Sequence, residues 1–170
     1  MKQSVRAQLQ RYWDVRATGN FAFGGTGGGL ILASAVAFAL GERPAFALAV
    51  GLGLIGLGLF CVWLEIGKPW RSINVFFHAR TSWMTREALI VPPLFVAGGA
   101  AIFLDPRFIF LAAVLAAVFV YCQARILHAS RGIPAWCQDE TVPLILATAL
   151  AEGTGLFVVI GAATTPMIAL

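Results

Sequence analysis

Four long apolar runs, about Phe21 to Leu40, Ala45 to Leu64, Ala88 to Leu104 and Phe108 to Ala124, dominate this chain, and a fifth begins near Val142. A helix rises about 1.5 Å per residue, so roughly 20 apolar residues cross a hydrocarbon core of about 30 Å. The third and fourth runs are slightly short, and their flanks must complete the span. Inside lipid the backbone has to satisfy its own N–H and C=O groups, so runs of this length are helices. The alternating segments of a membrane barrel are absent. The expectation is an all-α integral membrane protein, a helical bundle of about five transmembrane helices.

Composition excludes an ordinary soluble domain. Apolar residues make up 59% and charged residues 12%, against roughly 25% charged in soluble chains. A length of 170 residues holds one bundle rather than two domains. We divide it into an N-terminal tail, 1–20, and a transmembrane domain, 21–170. The first apolar run is a poor signal peptide, because the mostly polar tail precedes it and a second span follows just after Gly41 to Pro44. No polar segment follows Thr164-Thr165-Pro166, which leads us to expect the N-terminal part of a longer bundle. Cys61, Cys122 and Cys137 show neither metal-ligand spacing nor a disulfide framework.

Sorting the loops by side is more informative than the net charge of +4. The tail, the loop between helices 2 and 3, and the loop between helices 4 and 5 share one face. That face carries Lys2, Arg6, Arg11, Arg16, Lys68, Arg71, Arg80, Arg86, Arg125 and Arg131. The other carries only Arg43 and Arg107, near Glu42 and Asp105. Ten basic residues against two place the N-terminus in the cytoplasm by the positive-inside rule. The same face holds His78, His128 and all five tryptophans, Trp13, Trp63, Trp70, Trp83 and Trp136. Aromatic belts normally mark both interfaces. The one-sided set therefore reads either as anchoring at one interface or as a docking surface for a soluble partner, since Trp and Arg are enriched at hot spots. Its candidates are Trp70, Arg71, Arg80, Arg86, Arg125 and Trp136.

The loop from Glu65 to Glu87 concentrates the chemistry. Glu65 falls in the last turn of helix 2, where the dipole disfavours negative charge, and Gly67 and Pro69 then end the helix. Pairing with Lys68 or Arg71 offsets that cost; otherwise Glu65 is a proton carrier or ligand. Glu87 has a simpler structural explanation: with Thr85 as N-cap, an acid in the first turn of helix 3 complements the dipole. A quinone site needs an apolar cleft, a donor for a carbonyl oxygen and a group that exchanges protons. Glu65 or Glu87 can carry protons, His78 can donate, and Trp63 or Trp83 can wall the ring.

The stretches Leu64 to Arg71, Ser82 to Ala88 and Arg131 to Trp136 resemble the dimethyl sulfoxide reductase membrane-anchor family. Asn20-Phe21 with the glycine-rich start of helix 1 is similar to the wider polysulfide reductase membrane-subunit group. Within these families the motifs look most like the anchors of phenylacetyl-CoA:acceptor oxidoreductases. The resemblance implies a haem-free helical subunit that exchanges electrons between a membrane quinone, menaquinone or ubiquinone, and the iron–sulfur clusters of a ferredoxin-like partner. A molybdopterin catalytic subunit would complete the complex. The family's quinol-site histidine in this loop is Glu65 here, whereas its glutamate at the start of helix 3 is matched by Glu87. Family members also carry more helices than five. A CoA-ester substrate would be met in the cytoplasm, on the face that carries the motifs.

Other signals carry less. The glycines of helix 1 (Gly24, Gly25, Gly27, Gly28, Gly29) and helix 2 (Gly51, Gly53, Gly56, Gly58) follow no strand, so they read as close helix packing rather than a phosphate loop. Pro92 and Pro93 would kink helix 3. Glu152 falls near the middle of helix 5, where a charge costs roughly 2.5–3.5 kcal/mol; it reads either as packed internally with Thr154 or as part of a proton route. The two histidines lie in loops or at helix ends, so paired haem ligands are missing.

Three functions compete: a quinone-reactive anchor, a purely structural anchor, and a small transporter subunit with Glu152 on its path. All three place the chain in a bacterial cytoplasmic membrane and none involves nucleic acid. The anchor subunit would carry no catalytic residue or metal of its own.

Overall fold

The computed structural model describes residues 15–65, 75–77, 80, 82–130 and 132–168, with the side chains of Glu65 and of residues 162–168 outside that description. Trp70, Arg71 and His78 also lie outside the described residues. Five helices account for most of the rest: α1 (Val15–Ala39), α2 (Ala45–Glu65), α3 (Trp83–Phe103), α4 (Phe108–His128) and α5 (Thr141–Ile168). A 3-10 turn, Pro134–Cys137, lies between α4 and α5. Among the described residues there is no strand.

All five helices are long and apolar enough to cross a membrane. Their outward faces carry large apolar side chains, such as Val36, Val96, Phe103, Val114 and Val158, all well exposed. Water would penalise such a surface and a bilayer would not. The chain is a multi-pass membrane protein.

α1 and α4 form the centre of the bundle. α1 packs against α2, α4 and α5, whereas α3 packs mainly on α4. The core holds Leu30, Ile31, Leu48, Ile55, Leu94 and Phe119, all fully buried. Glycine sets the close approaches. A Cβ at Gly27 would lie 2.6 Å from the Gly51 carbonyl oxygen, and one at Gly153 would fall on the backbone of Gly29. These α1–α2 and α1–α5 seams support the packing role expected for the glycines, apart from Gly53, which is exposed and meets open space. α1 stops in a Schellman turn: Gly41 takes φ +94°, its N–H donates to Phe38 O at 3.0 Å, and Glu42 N–H donates to Ala37 O at 3.0 Å.

Two expectations change at the helix starts. α1 begins at Val15, so residues 15–20 belong to the first helix rather than to a tail. α3 begins at Trp83 with Ser82 as N-cap, its side chain accepting from Thr85 N–H at 3.4 Å. Thr85 is therefore not the cap, and Glu87 sits in the second turn, past the exposed N–H groups that a first-turn acid would serve. Pro92 and Pro93 lie within α3, on its exposed side.

Candidate functional site

The N-terminal ends of α1 and α3 and the C-terminal end of α4 meet at one boundary of the bundle. Three polar side chains converge there from three helices: Asn20 of α1, Glu87 of α3 and Gln123 of α4, all buried. Gln123 Nε2 donates to the Asn20 backbone carbonyl at 3.2 Å. It can do so because Gly24 has no side chain, and a Cβ there would strike the Gln123 amide. The side chains of Gln123 and Asn20 face the Glu87 carboxyl. Even so, Glu87 Oε1 and Asn20 Oδ1 have no hydrogen-bond partner among the described residues. Buried polar oxygens are nearly always partnered, and leaving one unsatisfied costs about 1–3 kcal/mol. Two such oxygens lie in this one cluster.

An aromatic wall stands beside the cluster. Trp83 precedes Glu87 by four residues on α3, which puts the two on one helix face. Its indole meets Tyr121 edge to face at 5.8 Å. The Arg86 guanidinium lies 4.1 Å from the Trp83 ring centroid and that of Arg125 lies 5.0 Å away. Arg125 Nε is buried without a hydrogen-bond partner among the described residues, and Arg86 also donates to the Arg80 carbonyl at 3.0 Å. Two cations on one indole gather positive charge on this wall.

Of the residues singled out in the sequence, Asn20, Glu87, Trp83, Arg86 and Arg125 come together here. Arg80 is exposed and joins through its carbonyl, and Trp136 sits half-buried in the 3-10 turn. Trp63 stays apart, stacked on Phe60 at 5.9 Å. Glu65 is the last residue of α2, while its side chain, His78, Trp70 and Arg71 lie outside the described residues. Gln123 is the residue the sequence reading passed over. Its signal was an amide within an apolar run, one residue after Cys122. Arg16 braces the same end, donating from Nη1 to the Leu64 carbonyl at 2.9 Å near the C-terminus of α2.

Glu152 lies away from this cluster. Its Oε2 accepts a 2.6 Å hydrogen bond from the Thr26 hydroxyl of α1. Thr154, expected as its companion, instead donates to the Leu150 carbonyl of its own helix at 2.6 Å.

The fold and this boundary cluster define a multi-pass membrane protein whose described residues form five helices, with a buried amide–carboxyl centre at one end. No family model, curated protein or solved structure matches the chain.

Proposed function

We propose that this chain is the quinone-reactive membrane anchor of an oxidoreductase complex, and that the Asn20–Glu87–Gln123 cluster is where the quinone head binds. The observation that carries this reading is the pair of buried, unpartnered oxygens, Glu87 Oε1 and Asn20 Oδ1, set beside Trp83 at a membrane boundary. Reducing a quinone to a quinol takes two electrons and two protons, and the reverse reaction releases them. The orphaned Glu87 Oε1 and Asn20 Oδ1 are acceptors and would take the hydroxyl hydrogen of a quinol head, while an Asn20 amide N–H would donate to a quinone oxygen. Glu87 would pass a proton at Oε1, and Trp83 would wall the ring. Electrons would come from, or pass to, iron–sulfur clusters in a ferredoxin-like partner, itself joined to a molybdopterin subunit.

The partner would dock on the face that gathers the basic residues and tryptophans, with Arg80, Arg86, Arg125 and Trp136 among its contacts and Trp70 and Arg71 beside them. The charge bias of that face supports a bacterial cytoplasmic membrane with the N-terminus in the cytoplasm. Photolabelling tests the site. A photoreactive quinone added to the membrane-embedded complex should mark the α3 segment around Trp83 and Glu87, and excess unmodified quinone should suppress the mark. Labelling confined to other segments would leave the chain as a tether.

A further inference from the structure

Glu152 poses a separate problem. Among the described spans it is the one Asp, Glu, Lys, Arg or His in a middle third. It lies eleven residues beyond Thr141, about 16 Å along α5, and Thr26 lies at the same depth on α1. The two helices are locked in register where Gly153 meets Gly29 and Gly25 meets Ala149, which sets Thr26 against Glu152. Despite this depth Glu152 is exposed on the outer surface of α5, with exposed Ala151 and Thr154 as neighbours and open space around Gly155. Among the described residues no helix covers this face, and a face left bare at mid-depth meets the acyl chains.

A hydrogen bond from Thr26 does not by itself call for a carboxyl. A glutamine would accept the same bond without the roughly 2.5–3.5 kcal/mol that an acidic side chain costs at the centre of a span. What a carboxyl adds is an exchangeable proton, and ionisable groups within membranes mark ion or proton routes. We propose that Glu152 is a proton-binding site within the bilayer, held by Thr26 and open to the lipid phase on the outer face of α5. The ligand is a proton, carried on the carboxyl oxygen that Thr26 does not engage. The site is independent of the quinone cluster and stands whether or not that cluster binds quinone.

Dicyclohexylcarbodiimide, an apolar reagent that partitions into lipid, tests this directly. The acid passes its proton to a carbodiimide nitrogen as its oxygen bonds the central carbon, and rearrangement leaves a stable N-acylurea. With the folded protein in lipid nanodiscs, peptide mass spectrometry should find this adduct at Glu152. The E152Q variant should lack it, and a water-soluble carbodiimide should leave Glu152 unmodified. T26V, which removes the donor from the carboxyl, should change the labelling rate several-fold. The proposal is overturned if Glu152 labels only after denaturation, or if the water-soluble reagent modifies it as readily as the apolar one.

Discussion

Gln123 and Asn20 are joined across two helices by a single bond, Nε2 to backbone carbonyl at 3.2 Å, laid over the bare backbone of Gly24. The acceptor is a backbone carbonyl within α1, so the bond ties the α4 side chain to the α1 backbone. It also points the Gln123 amide toward Glu87. Removing the space that allows it should therefore disturb the whole cluster.

Gly24→Ala is the narrowest test of that dependence. The new methyl meets the Gln123 amide, and overpacking a tight site costs about 1–3 kcal/mol. A lower melting temperature in detergent is expected, together with weaker binding of a quinone-site inhibitor. Gly53→Ala, which meets open space, should change neither.

Glu87 and Gln123 should be energetically coupled. Glu87→Gln and Gln123→Leu, singly and together, form a double-mutant cycle read by denaturation in detergent. Residues in one buried network show coupling of about 0.5–3 kcal/mol. Strict additivity would mean that the two side chains act separately.

At Gly153 the α1–α5 seam admits no side chain. Gly153→Val would drive a branched side chain into the Gly29 backbone, where there is no flexible neighbour to yield. Separation of α5 from α1 is expected, seen as loss of a disulfide cross-link engineered between the two helices in the otherwise cysteine-free protein. Gly161→Val, in open space on the same helix, should keep the cross-link.

At the opposite boundary, the exposed Arg107 holds the half-buried Asp105 carboxyl below its ordinary 3.8 through hydrogen bonds and charge. A carboxyl lowered in the folded state adds stability above its unfolded value and loses it as pH falls through the lowered one. Asp105→Asn should therefore change the melting temperature slightly at neutral pH, and the difference should vanish in acid. High salt should shrink it too, because exposed charges are screened.

The spans were legible in the sequence because runs near twenty apolar residues leave the backbone no alternative in lipid. Their starts were less so. Arg16 and Thr18 looked like tail, yet α1 runs through them, and Arg16 finds a carbonyl at the end of α2. Ser82 rather than Thr85 caps α3, which moved Glu87 from a first-turn acid to a buried one. Asn20, Glu87 and Trp83 were each visible as candidates, but their meeting depends on which turn of α1 faces α4. That facing is set by Gly24 and Gly28 against Gln123 and Val120, a relation between distant segments that periodicity in one segment does not carry. Gln123 was lost for the same reason.

The central claim is that Glu87 belongs to a quinone site. The direct measurement is fluorescence titration of a quinone-site inhibitor against the solubilised complex, wild type beside Glu87→Gln, with melting temperature recorded for both. The account predicts saturable binding in the wild type and at least a tenfold weaker affinity in a variant that remains folded. Equal affinity in the two proteins, or no saturable binding in the wild type, would contradict it.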